Sequence, residues 1–268
     1  MSKAGREVST VLAFSRWLLR MLAKEQPKAI AACFDESLGS CFRNDIYADY
    51  KSNRTLPDED LAYELLACKK VCELLGVPVL ASNKFEADDL IGSLAKHASA
   101  AGHNVFILSR DKDLGQLLSL ENTFMWDLGF DDPIADASFT NEFGIAPERM
   151  AEYLAIVGDT SDAIPGVKGV GKKTVVGLFN HFDSWEQIKA APHTIEQLPI
   201  RGAKRIAGLI AEGVDTVDRN LRLTQLALDC VNDSDFDVQR KIIQKDVLVD
   251  LYTEFRAPDS IIKLIEKV

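Results

Sequence analysis

The sequence lacks any run of the eighteen or so apolar residues that a membrane span requires. Its first residues, MSKAGREVST, lack the apolar core of a secretory leader. It also lacks an excess of positive charge: 31 Lys+Arg against 41 Asp+Glu leave a net −10 over 268 residues. On that average a nucleic-acid-binding surface is not expected. There is no clustered Cys/His pattern either. Cys68 and Cys72 share one segment, while His97, His103, His181 and His193 are scattered, which argues against structural zinc. The odd total of 5 Cys, set among apolar residues, reads as reduced, packed thiols in a cytoplasm. With only 16 Gly and 9 Pro the chain is neither collagen-like nor low in complexity, and 47% hydrophobic residues exclude disorder. What remains is a globular, cytoplasmic composition with enough chain for one large or two small cores.

Apolar residues recur at three- and four-residue intervals over residues 8–23, which predicts an amphipathic helix. Residues 29–34 form a short apolar run ending at Asp35 and predict a buried strand. A polar and aromatic stretch follows over 37–54. Pro57 opens a helix that Gly76 ends. Residues 77–81 predict a second strand, Glu86 starts a helix that stops near Gly102, and 104–108 predict a third strand. Strands alternating with helices imply a mainly parallel sheet, with a crevice at the strands' carboxyl ends. Helical patterns dominate after Pro147, so a boundary near residue 145 separates an α/β part (1–145) from a helical part (146–268).

The chemistry lies in grouped acids. Glu86, Asp88 and Asp89 fall in Glu-Ala-Asp-Asp, Asp111 and Asp113 flank a lysine, and Asp159 and Asp162 lie in Gly-Asp-Thr-Ser-Asp. Asp35 stands alone at its strand end. Taken singly, each group reads as a helix start or a turn, because acids in a first helical turn complement the macrodipole. Taken together, acids that follow neighbouring strands repel one another, and a cation relieves that repulsion. A carboxylate cluster without His or Cys favours Mg²⁺ or Mn²⁺. Two such ions can clamp the attacking and leaving oxygens of a phosphodiester displacement.

The glycine-rich stretch Gly166-Val-Lys-Gly-Val-Gly-Lys-Lys-Thr174 fits a phosphate-binding P-loop poorly. Lys173 stands where Ser or Thr should hold the metal, and no strand pattern precedes it. It reads better as a hairpin between helices, whose outward N–H groups, with Lys168, Lys172 and Lys173, bind a phosphate without reading sequence. An ordinary glycine-rich turn is the remaining alternative.

Three dense motifs carry a resemblance: Cys33-Phe-Asp35 with Phe42-Arg and Tyr50-Lys-Ser-Asn-Arg54; Phe85-Glu-Ala-Asp-Asp-Leu-Ile91 with Leu108-Ser-Arg-Asp-Lys-Asp-Leu114; and residues 157–174. In this order they resemble the 5′–3′ exonuclease and flap endonuclease family, whose members stand alone or form the N-terminal domain of bacterial DNA polymerase I. The resemblance implies an α/β, PIN-like (resolvase-like) core with an arch near residues 40–60. Behind it would lie a helical part with a helix-three-turn-helix (helix-hairpin-helix) element.

The resemblance also implies two divalent ions, Mg²⁺ or Mn²⁺, with Asp35, Glu86, Asp88 and Asp89 toward one. Asp111, Asp113, Asp159 and Asp162 would lie around the other. Lys51 and Arg54 match basic arch residues that act on the scissile phosphate, and Tyr50 is placed to stack on a base. Gly166, Lys168, Gly169, Gly171, Lys172, Lys173 and Thr174 would hold duplex DNA, with K⁺ bound there through carbonyls. Arg201, Lys204 and Arg205 extend the same basic track or form solvated surface. The implied partner is DNA with a 5′ flap, a nick or a free 5′ end, bound by a monomer with no membrane. The implied setting is replication and repair.

Arg110, Ala163, Lys172 and Val175 depart from the family's usual Gly, Asn, Pro and Ala. Members also begin with a strand ending in Asp-Gly, whose Asp is a metal ligand, and this chain starts after that point. The expectation is a truncated form of an active nuclease. The alternative is an impaired module that binds branched DNA without cutting it. Eight carboxylates assigned to one site account for most of the net −10, so the rest of the chain is close to neutral.

Overall fold

The computed structural model describes residues 1–127, 133–232 and 236–268. They form two compact units that interleave in the chain. One comprises Met1–Glu36, Thr55–Ser82 and Asn232–Val268; the other comprises Ser37–Arg54 and Asn83–Val231.

The first unit is built on the amphipathic helix Ser9–Glu25, which buries Val11, Leu18, Leu19 and Leu22. Val8 gives it no side-chain cap, so its first amides need partners from elsewhere. Buried Glu64 supplies them, accepting from Thr10 N at 2.6 Å and Val11 N at 3.2 Å. Glu64 lies on the helix Glu59–Leu74, which Asp58 caps by accepting from Leu61 N. Helices Lys245–Glu254 and Asp259–Ile265 complete the packing. Strand Ala32–Asp35 pairs in parallel with Val79–Ser82, Asp35 opposite Ser82.

In the second unit, helix Ala87–Ala100 leads to strand Val105–Ile107, which pairs in parallel with Thr123–Met125. Between them runs a 3₁₀ helix, Lys112–Ser119. Ile107, Leu114, Leu117, Met125, Phe139 and Leu154 share one core. Helices Met150–Val157, Lys172–Phe179, Trp185–Ala190, Ala203–Glu212 and Val214–Thr224 surround a second core that includes Trp185, Leu178, Ile206 and Val217. Buried Asn220 ties two segments together, donating from Nδ2 to Ala155 O at 2.9 Å and Pro165 O at 2.7 Å.

The parallel pairing expected from the alternating pattern is present, but the ladders stop at two strands. Among the described residues each strand pairs with a single other strand, and Met125 also forms an isolated antiparallel bridge with Ile134. The strand Thr123–Met125 and the helix Phe42–Ile46 are too short to show a period and are additional to the expected elements. None of the five cysteines forms a disulfide, and burial pushes the Cys68 and Cys72 thiols up to about 11 and about 12, away from reactive thiolates. Among the described residues no helix is long and apolar enough to cross a membrane.

Candidate functional site

The site grows from helix ends and tight turns in the second unit. Glu86 is the N-cap of helix Ala87–Ala100, and it forms a capping box with Asp89. Asp111 is the N-cap of the 3₁₀ helix and accepts from Asp113 N at 3.0 Å. Asp159 and Asp162 flank the turn between the two-residue strands Gly158–Asp159 and Ile164–Pro165, which pair antiparallel. That pairing needs glycine twice. Gly158 has φ +84°, and a Cβ on Gly166 would lie 2.0 Å from the Val157 carbonyl oxygen.

Glu86, Asp88, Asp113, Asp159 and Asp162 line a small open cleft, together with Lys51, Tyr50 and Arg43. Glu86 accepts the Tyr50 hydroxyl at 2.8 Å and pairs with Lys51 Nζ and with Arg43 Nη1 at 3.0 Å. Asp162 pairs with Arg54 Nη2 at 2.6 Å and lies 3.8 Å from Lys51 Nζ. Lys112 Nζ reaches Asp113 at 3.0 Å and Asp159 at 3.7 Å. The 50–54 segment is laced to the Asp159–Asp162 turn. Lys51 N donates to Asp162 O at 2.9 Å, and Asn53 Nδ2 donates to Thr160 O at 2.9 Å. Lys51 holds a left-handed backbone, φ +53°, which costs about 1–3 kcal/mol for a residue with a side chain.

The electrostatics favour a cation. Burial and the negative charges of Asp111 and Glu86 push Asp88 up to about 7. Burial likewise raises Asp113, against the opposing pull of Lys112. Burial also acts to raise Asp159, but the Ser161 hydroxyl and amide, with Lys112, outweigh it and hold Asp159 below the usual carboxylate range. Asp159 Oδ2 is buried and has no hydrogen-bond partner. An all-oxygen donor set with mutual repulsion and an orphaned buried oxygen fits a hard divalent ion. Among the described residues, no three His, Cys, Asp or Glu side chains yet gather closely enough to hold a metal. Lys51, Arg54, Arg43 and Lys112 stand between them.

Of the sequence-derived site residues, Tyr50, Lys51, Glu86, Asp88, Asp113, Asp159 and Asp162 line this cleft, and Asp89 and Tyr50 are engaged otherwise than expected. Asp35 ends strand Ala32–Asp35, which belongs to the first unit. Asp89 is 0% exposed and fully engaged: its oxygens accept from Arg43 Nη1 at 2.6 Å, Arg43 Nη2 at 2.8 Å, Ala227 N at 2.8 Å and Glu86 N at 3.1 Å. Little lone-pair capacity is left for an ion. Tyr50 is 4% exposed, so its ring is not open to stack on a base, and burial beside Glu86 drives its hydroxyl far above the usual range. Its O–H orients Glu86 instead. Gly166, Lys168, Gly169 and Gly171 form the expected turn between helices Met150–Val157 and Lys172–Phe179, the latter starting with Lys172, Lys173 and Thr174.

The residue that sequence reasoning passed over is Arg43, 2% exposed. Besides gripping Asp89 and Glu86, it donates from Nε to Leu223 O at 2.7 Å and from Nη2 to Gln225 O at 3.0 Å. Its only signal in the sequence was its place in Phe42-Arg.

Residues 1–145 match the family described as 5'-3' exonuclease, N-terminal resolvase-like domain, and residues 145–246 match 5'-3' exonuclease, C-terminal SAM fold. The chain is 36% identical over 189 residues to the 5'-3' exonuclease of Aquifex aeolicus, covering 69% of this chain and 63% of that protein. It is 32% identical over 243 residues to DNA polymerase I of Pseudomonas aeruginosa, covering 88% of this chain and 26% of that protein. Thus it spans about a quarter of the polymerase and under two thirds of the exonuclease. Among solved structures it is similar to T5 5'-exonuclease with bound zinc ions (TM-score 0.63, 19% identity, 96% of this chain and 90% of that one). It is also similar to the catalytic core of Rad2 in complex with DNA substrate (TM-score 0.58, 15% identity, 99% of this chain and 86% of that one).

Replacing Arg43 by Lys keeps one charge but loses the planar fork that joins Asp89 to two carbonyls. Urea unfolding of R43K is expected to show a loss of about 3 kcal/mol, as for a broken buried pair. An unchanged midpoint would contradict the role assigned to Arg43.

Proposed function

Because the chain belongs to the 5′–3′ exonuclease family, we propose that it is a structure-specific DNA nuclease. It hydrolyses phosphodiesters near a 5′ end, at a flap, a nick or a free terminus, in replication and repair. The observation that carries this reading is the acid-lined cleft of the second unit, with Lys51 inside it and Arg54 paired to its Asp162.

The orphaned Asp159 oxygen and the raised Asp88 support divalent-ion binding, by Mg²⁺ or Mn²⁺. Two ions, when bound, supply charge neutralisation and an activated water. Glu86, Asp88, Asp111, Asp113, Asp159 and Asp162 would hold them. Asp89 is left out of this set because Arg43 takes its oxygens. Lys51 and Arg54 counter charge on the scissile phosphate, and their lacing to the Asp159–Asp162 turn keeps them within its reach. Tyr50 fixes the Glu86 carboxylate. The hairpin at Gly166, Lys168, Gly169 and Gly171, with Lys172, Lys173 and Thr174, grips the duplex backbone, and its carbonyls would take K⁺. The division of labour follows a boundary near residue 145, with the cleft's first acids before it and the hairpin after it. Five cysteines without a disulfide support a reducing, cytoplasmic setting.

Binding branched DNA without cutting it is the second reading. It draws on the basic side chains interposed among the acids. A 5′-flap duplex incubated with Mg²⁺ separates the two: cleavage supports the nuclease, and binding without cleavage at saturating Mg²⁺ overturns it.

Asp113→Ala and Asp162→Ala are expected to lower cleavage by a factor of 10³ or more, an order-of-magnitude figure for a lost electrostatic element. Both should leave flap binding within about threefold. Near-normal turnover in either variant would refute the ligand assignment.

A second test concerns protons. With Asp88 raised to about 7, ion binding must displace its proton at lower pH. Affinity for Mg²⁺ should fall about tenfold per pH unit below 7 and level off above it. Calorimetry in two buffers of different ionisation heat should register proton release at pH 6 and none at pH 9. Equal heats at pH 6 would contradict this.

A further inference from the structure

Three arginines of the second unit are buried or half-buried: Arg43, Arg149 and Arg219. Arg43 pairs with Asp89, and Arg149 pairs with Glu152. Among the described residues Arg219 has no carboxylate within ion-pair distance, in a chain of net charge −10. Its Nε is buried and has no hydrogen-bond partner. A charge half withdrawn from water without a counter-charge is unfavourable, and an anion relieves it.

The guanidinium is nevertheless held in place. Its carbon lies 4.3 Å from the centroid of the Tyr47 ring, and Nη2 donates to Asn220 Oδ1 at 2.9 Å. Asn220 is itself fixed by the Ala155 and Pro165 carbonyls. Among the described residues nothing accepts from Nη1. The pair also borders the cleft. Tyr47 packs on a small cluster of Tyr50, Ile164 and Leu223, and all three of these line the cleft. Arg219 precedes Leu223 by four residues on helix Val214–Thr224, so it lies about 6 Å away along the axis, one turn on and on the same face. That offset is on the scale of one nucleotide of an extended strand.

We propose that Arg219, backed by Tyr47, holds the phosphate next to the scissile one in the strand being cut. This rests on the nuclease reading above and adds to it a contact outside the acids, the 50–54 segment and the hairpin. The ligand is a phosphate because Tyr47 covers one face of the guanidinium, while the Nη1 edge is left to take an anion's oxygens. The stack and the Asn220 bond order the side chain beforehand, so little rotamer freedom is lost when the strand arrives.

The test pairs a variant with an altered substrate. Cleavage of a 5′-flap duplex by the full chain with Mg²⁺ first maps the scissile phosphate. Fluorescence anisotropy in EDTA then measures binding of the same duplex with a methylphosphonate replacing the phosphate on its 5′ or its 3′ side. Neutralising one of those two is expected to weaken wild-type binding about tenfold, the weight of one hydrogen bond between charged groups. Arg219→Ala should weaken binding of the unmodified duplex by the same factor. Together the two changes should cost no more than either alone, the signature of a direct contact. Arg219→Lys should recover part of the affinity. Lys263→Ala removes an exposed charge of the first unit and should change nothing. Circular dichroism checks that each variant is folded. If Arg219→Ala binds like the wild type, or if both methylphosphonates weaken it by the factors seen in the wild type, the contact is overturned while the nuclease reading stands. If the wild type does not cut the duplex, the nuclease reading falls and the contact with it.

Discussion

Everything in the site hangs on one buried guanidinium. Arg43 is held by the Asp89 carboxylate and the Leu223 and Gln225 carbonyls, and it touches Glu86. It thereby joins the start of helix Ala87–Ala100 to the end of helix Val214–Thr224. An uncompensated arginine at that depth would cost several kcal/mol, so Arg43 and Asp89 require each other. Their pairing fixes the capping box, and the capping box fixes Glu86 at the mouth of the cleft. Tyr50 and Lys51 then have a rigid acceptor on which to settle.

Around that anchor the charges are arranged in opposition. The acids of the cleft repel one another enough to push Asp88 up to about 7, and the basic residues of the 50–54 segment sit among them. The same carboxylates hold these lysine and arginine side chains and, on the proposed reading, would hold divalent ions. Binding an ion would therefore set Lys51 and Arg54 free near the place where a phosphate would lie. At the hairpin the sign is reversed, with unpaired cations and no acid. Net charge averages the two regions, which is why −10 says nothing against a phosphodiester substrate.

Much of this was legible in the sequence where the determinants are local. Glu86, Asp111 and the Gly158–Gly166 turn are set by cap and turn chemistry within a few residues, so their places followed from spacing. Helix Ser9–Glu25 followed from periodicity, and helix Glu59–Leu74 from its start and stop signals. Other features depend on partners far along the chain. Asp89 looked like its neighbours in Glu-Ala-Asp-Asp, but Arg43, 46 residues away, takes it out of the cleft's free acids. Tyr50 read as an exposed stacking residue because nothing nearby signals the Glu86 acceptor, 36 residues on. Arg43 itself reaches a carbonyl 180 residues away, a distance over which no spacing rule operates. The short strand Thr123–Met125 has too few residues to display a period.

The claim at the centre is that the acids fixed by Arg43 form a divalent-ion site which Lys51 shares. Anomalous diffraction from crystals soaked in Mn²⁺ tests it most directly. The account predicts manganese peaks in the cleft, ligated by oxygens drawn from Glu86, Asp88, Asp111, Asp113, Asp159 and Asp162, with Lys51 Nζ moved off Glu86. A cleft without manganese at saturating concentration, or manganese bound with the Lys51–Glu86 pair intact, would contradict it.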